Sequence, residues 1–312
     1  MIPSTQKNIT RRAVGENIWL NRETPEIQNI FSRENIPPYK YEVLESEAAV
    51  GRAMLEELQA VARGKGGDVV MLLLGGRGAQ AMYRLINEKI PTGELDALLS
   101  RLHVFTQDAL APMRMNNGFS FVRDFERLLG DEFFQKIKSF TPMQTDTDDL
   151  EGELIKYLEK LESLGGIDIF FLGLGPEANA ASHLAYIKPN SGAVFGDLAG
   201  IIPISETILE HHISKFKAGG SRVTEEDEAE CRAATHILTL APAAILGARK
   251  VVQSIVDASS APNKIPSFRR VLETEISNDL TTRAQQMDEN PGLWLRLHPN
   301  VRSLVLPDLL AE

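Results

Sequence analysis

Apolar positions along the chain alternate between two periods. Val50, Met54, Leu58 and Val61 recur at near-helical spacing, so one face of that segment is buried. Ser46 stands where an N-cap belongs, Glu47 follows in the first turn, and Gly64, Gly66 and Gly67 close the helix. Val69-Val70-Met71-Leu72-Leu73-Leu74 comes next, an unbroken apolar run of strand length, which fits a parallel strand covered on both faces. The alternation repeats. A helix over Gln80 to Glu88 precedes a strand at Leu102 to Phe105. Helical periodicity over Phe119 to Phe134 and Leu150 to Leu164 precedes a strand at Ile167 to Leu174. Further strands are predicted at Ile237 to Leu240, Val251 to Val256 and Ser303 to Leu306. The sum predicts an α/β fold, doubly wound, with a mostly parallel sheet and helices on both faces. Residues 1–40 are polar and broken by Pro25, Pro37 and Pro38, so they read as an arm or cap ahead of one α/β domain over 41–312.

Composition narrows the function classes. The chain has 312 residues, 43% apolar and 24% charged, which is ordinary for a soluble globular protein. A net charge of −10 argues against a nucleic-acid surface or an anionic membrane as partner. It leaves room for a small anion, for which a few local cations and backbone N–H groups suffice. The single cysteine, Cys231, admits no intrachain disulfide and fits a reducing cytoplasm; packing is its expected role. No apolar stretch nears the roughly 18 residues of a membrane span, and Met1 to Thr10 lacks a signal core. His211 and His212 are adjacent and diverge on a helix, and no other metal-ligand spacing occurs, so no metal and no cofactor are expected.

In open α/β sheets ligands gather at the carboxyl ends of the strands. Gly75-Gly76-Arg77-Gly78 follows the first strand, where backbone amides can converge on an anion at a helix start. Phosphate or sugar binding, a plain tight turn and a dinucleotide site are the three readings of this turn. Asp108 ends the second predicted strand as a general base or as a turn aspartate. His183 follows Phe170-Phe171-Leu172-Gly173-Leu174-Gly175-Pro176 as an acid/base or as a loop histidine. Lys264 opens a helix against the macrodipole, a placement that makes sense with an anion beside it, or as a surface lysine.

Taken in order, these segments resemble the glucosamine-6-phosphate deaminase and 6-phosphogluconolactonase superfamily. The resemblance runs from about Tyr41 to Asp308. It rests on Leu74-Gly75-Gly76-Arg77-Gly78 with Tyr83, on Phe105-Thr106-Gln107-Asp108, and on Gly173-Leu174-Gly175 followed by His183-Leu184-Ala185-Tyr186-Ile187-Lys188-Pro189. Leu238-Thr239-Leu240, Ala248-Arg249, Lys264 with Arg269-Arg270, and Leu295-Arg296-Leu297-His298-Pro299 extend it. The resemblance implies Asp108 as the base that abstracts a proton next to an open-chain aldehyde and His183 as the ring-opening acid/base. It implies Lys264 and the Gly75, Gly76, Arg77, Gly78 turn as phosphate holders. A second, lactonase-like alignment matches Glu177 to a catalytic aspartate and places Asn179 at the histidine position. The chain departs from the deaminase pattern at Ala109 and Lys188, where acidic residues are expected, and in a lengthened glycine-to-histidine loop. The partner implied is a small sugar phosphate, with room for a homo-oligomer. The activity implied is conversion of an amino-sugar phosphate to a ketose phosphate and ammonia, with lactone hydrolysis or non-catalytic binding as alternatives.

Overall fold

The computed structural model describes residues 9–311. The chain enters the fold as a hairpin, β1 (Thr10–Val14) and β2 (Asn17–Asn21). Strands β3 (Tyr41–Val43), β4 (Val69–Leu73), β5 (Leu102–Thr106), β6 (Asp108–Ala111), β7 (Ser139–Thr141) and β8 (Ile169–Leu172) follow. A short hairpin, β9 (Gly175–Pro176) and β10 (Ser182–His183), precedes β11 (Asp197–Pro203), β12 (His236–Leu240), β13 (Lys250–Ile255) and β14 (Val301–Val305).

Seven strands form a parallel sheet in the order β3-β14-β13-β8-β4-β5-β7. Its central strands are buried throughout because helices cover both faces: β4 and β8 are wholly apolar, and β5 is apolar apart from His103 and Thr106. The helix Glu47–Gly64 starts where Ser46 accepts a hydrogen bond from the Ala49 amide, the cap that the sequence announced. The helices Gln80–Lys89 and Leu150–Ser163 also match the predicted periods.

A second sheet of five strands runs β1-β2-β11-β12-β6, antiparallel throughout. It revises two expectations. The segment Ile237 to Leu240 belongs here and not among the parallel strands, because β12 pairs with β6 and β11. Residues 10–21, expected in an arm or cap, supply two strands whose Trp19 and Leu20 are buried in the main core. Gly200 of β11 makes space for that indole, since a Cβ there would stand 2.5 Å from the ring. The following helix Pro25–Phe31 buries Ile27 and Phe31, and the guanidinium of buried Arg283 donates to the carbonyls of Phe31 and Arg33. Residues 1–8 lie outside the described part of the chain. No described helix is long and apolar enough to cross a membrane.

The two sheets meet at the end of β5. The backbone leaves the parallel sheet at Thr106 and enters β6 at Asp108, which pairs with Thr239 of β12. One residue, Gln107, makes the crossing.

Candidate active site

A cavity of about 390 Å³ opens over the carboxyl ends of β4, β5, β8 and β13. Its wall includes Gly75, Gly76, Arg77, Gly78, Asp108, His183 and Lys264. They come from four separate segments of sequence, and the sheet's topology gathers them.

The glycine turn is held from behind. Tyr83, one helix turn into Gln80–Lys89, donates its hydroxyl to the Leu74 carbonyl at 2.8 Å and accepts from the Leu74 amide at 3.0 Å. Ser254 at the end of β13 donates to the Gly78 carbonyl at 2.6 Å. A Cβ on Gly75 would overlap the Phe121 ring, and Gly76 sits at φ +74°, ψ −163°, a region closed to other residues. The turn therefore fixes its amides at the cavity without a side chain in the way. Arg77 stands at the rim, where its guanidinium pairs with Glu47 at 2.5 Å.

Asp108 is buried, 6% exposed, because the crossing between sheets carries it inward. Its carboxylate makes no hydrogen bond or ion pair among the described residues. Burial pushes its carboxyl up to about 8, and the positive charge of Lys215 opposes that rise. Such an acid gains and loses its proton near neutral pH.

His183 is set by the β9–β10 hairpin, whose register places it opposite Gly175. Any side chain at Gly175 would overlap the imidazole, so glycine lets the ring lie against the opposing strand. Tyr186 stacks on the other side, with ring centroids 5.7 Å apart and planes inclined by 22°. Nδ1 of His183 lies 2.8 Å from Oε1 of Glu177. That carboxylate orients the ring and favours the tautomer with the proton on Nδ1, which leaves the lone pair on Nε2. Burial lowers the imidazole's affinity for a second proton, and the Glu177 hydrogen bond resists it. The residue set against the carboxylate is thus His183. Asn179 lies away from the cavity wall, in the left-handed region at φ 57°, and its carbonyl accepts from Arg270. Lys188 also turns away, donating to the Pro203 carbonyl.

Lys264 opens its helix as expected, and the anion beside it comes from the protein. Nζ lies 2.5 Å from Oδ1 of Asp257, and both side chains are buried. Burial opposes ionisation of Asp257, but Lys264 outweighs it and holds the carboxyl below its usual value. Asp257 follows an apolar strand just as Asp108 does, a signal that could have found it. Two further residues of the cavity were not singled out for a site by the sequence, one of them weighed only as a metal ligand. His211 and Lys215, on the helix Glu206–Ala218, both line the cavity. His212 beside them also borders the cavity, but its ring is already engaged, bonding the Phe119 carbonyl at 2.8 Å and stacking on Phe216. No group of three or more metal-ligating side chains occurs among the described residues.

No family model matches the chain. Curated relatives are a glucosamine-6-phosphate deaminase of Bacillus pumilus, 25% identical over 157 residues, and glucosamine-6-phosphate deaminase 1 of Bacillus subtilis, 26% identical over 182 residues. These alignments span 50% and 57% of this chain and only 52% and 62% of those proteins. A Caenorhabditis elegans glucosamine-6-phosphate deaminase is 23% identical over 223 residues, 70% of this chain and 74% of that protein. Among solved structures, a monomeric glucosamine-6-phosphate deaminase superimposes with a TM-score of 0.67 at 21% identity, covering 87% of this chain and 98% of that one. A 6-phosphogluconolactonase from Trypanosoma cruzi gives 0.62 at 16% identity, covering 88% and 96%. At these identities the structural likeness speaks for the fold.

Proposed function

Because the chain is a divergent member of the glucosamine-6-phosphate deaminase and 6-phosphogluconolactonase superfamily, we propose that it acts on a sugar phosphate, converting an amino-sugar phosphate to a ketose phosphate and ammonia. One observation carries the reading. His183, hydrogen-bonded from behind by Glu177, and the buried, unpaired Asp108 line one cavity beside an anion-competent glycine turn.

The chemistry needs two separate proton managers. Nε2 of His183 takes the proton of the anomeric hydroxyl and returns it to the ring oxygen, which opens the sugar. Glu177 keeps the imidazole in the required tautomer. Asp108 removes the C2 proton of the open aldehyde while a proton of the C2 ammonium passes to the aldehyde oxygen, giving an enolamine. Asp108 then delivers its proton to C1 as the nitrogen lone pair forms the C2=N bond. The nitrogen on C2 is then an imine, and water replaces it as ammonia. The phosphate sits at the end of the cavity bounded by the glycine-turn amides and the Lys264–Asp257 pair.

Lactone hydrolysis is the second reading. The same Glu177–His183 pair favours it, since an oriented neutral imidazole can activate water toward a carbonyl. Turnover separates the readings: ammonia and ketose release from glucosamine 6-phosphate supports the first, and hydrolysis of a phosphorylated sugar lactone the second. Thermal stabilisation by either ligand without turnover means a binding protein that keeps the cavity, and sinks both.

A further inference from the structure

The cations around the cavity are not equivalent. Arg77 is paired with Glu47 at 2.5 Å, Arg127 with Asp124 at 2.5 Å and Lys264 with Asp257 at 2.5 Å. The Lys215 ammonium has no carboxylate within ion-pair distance and makes no hydrogen bond to the described residues. The ring nitrogens of His211 are also without a described partner. The two are four positions apart on the helix Glu206–Ala218, so they share the face turned to the cavity.

Opposite that face stand His183, Asp108, Asp257 and Lys264, the groups whose charges reach Lys215 or His211. Lys264 and Asp257 cancel as a pair. Asp108 carries little negative charge while protonated. The uncompensated positive charge of the cavity is therefore on Lys215. Dense surroundings, and then the Lys264 charge, push its ammonium down to about 8, although the side chain keeps solvent contact that moderates the first effect. A dianion placed between Lys215 and Lys264 would relieve the repulsion between the two ammonium groups.

We propose that Lys215, with His211 beside it, is the principal contact for the substrate's phosphate, and that Lys264 serves mainly as a positioning residue locked by Asp257. The identity of the ligand rests on the sugar-phosphate reading above; the assignment of the anion to Lys215 does not depend on which reaction follows. The helix Glu206–Ala218 then sets specificity for phosphorylated over neutral sugars, a role the glycine turn alone cannot fill because its amides carry no net charge.

Calorimetric titration of the full chain with inorganic phosphate and with glucosamine 6-phosphate tests this. The variants are Lys215→Ala, Lys215→Arg, Lys264→Ala and, on the same helix, Lys217→Ala, whose side chain pairs with Glu228. A lost charge-assisted hydrogen bond corresponds to roughly a tenfold to hundredfold loss of affinity. Lys215→Ala is expected to lose that much for both ligands, Lys215→Arg to recover part of it, and Lys217→Ala to bind as wild type. Retained affinity in Lys215→Ala with a loss confined to Lys264→Ala overturns the assignment. So does absence of phosphate binding by the wild type. Phosphate binding that depends on Lys215, in a protein that turns over neither an amino-sugar phosphate nor a lactone, leaves the anion site standing and removes the activity.

Discussion

Asp108 shows how one residue's burial shapes both chemistry and stability. Its folded carboxyl is raised to about 8 from an ordinary 3.8, so the folded state binds its proton more tightly than the unfolded chain does. The stability this gives is complete below about pH 4 and is lost as pH rises through 8. Asp108→Asn should therefore be more stable than wild type at pH 8, by on the order of a few kcal/mol, and melt at a higher temperature. The gap should close toward pH 4, as melting curves across that range will show. The same variant should bind glucosamine 6-phosphate and not turn it over; full activity would remove Asp108 as the base. Glu177→Gln should keep the fold and lower kcat by on the order of a hundredfold or more, because the imidazole loses its orienting charge; steady-state kinetics checks it. Asp108 stood out in the sequence because it ends an apolar strand; His183 and Lys264 were candidates in the loops that follow such strands, and Glu177 entered only through the lactonase-like resemblance. Lys215 and His211 did not stand out, because a helix of mixed composition does not say which of its faces meets a cavity.

At the level of elements, the β9–β10 hairpin concentrates unusual backbone. Asn179, Ala180 and Ala185 adopt positive φ without being glycine, and all flank His183. Surrounding bonds over-determine this geometry: Ser267 donates to the Ala181 carbonyl at 2.7 Å, and the Asn290 side chain accepts from the Ser182 amide at 3.0 Å. Gly175→Ala should displace the imidazole and abolish turnover while far-ultraviolet circular dichroism stays unchanged. Gly76→Ala meets open space but an unfavourable backbone region, so it should cost about 1–3 kcal/mol of stability in denaturant unfolding. The apolar strands and capped helices were readable because local periodicity and Ser46 state them directly. The hairpin read only as a lengthened loop, since its two-residue strands carry no period.

The whole molecule depends on pairings that no local pattern reveals. The second sheet joins β2 to β11 and β12 to β6, so its register is written across most of the chain. Its strands are short, and the polar stretch that carries β1 and β2 looked peripheral because Trp19 and Leu20 are the only buried apolar residues of those two strands. Trp19→Ala should cost about 3–5 kcal/mol, a large part of a domain's stability, and should lower the denaturant midpoint accordingly. The strand order also fixes a timetable. During synthesis β1 and β2 leave the ribosome early, but the partner of β2 begins at Asp197, and β6, which carries Asp108, waits for Thr239 of β12. The acid/base centre is thus among the last parts to close. Nascent chains arrested before that strand emerges should already have helices and parallel strands, yet expose an unpaired β6 edge to chaperones and to their neighbours.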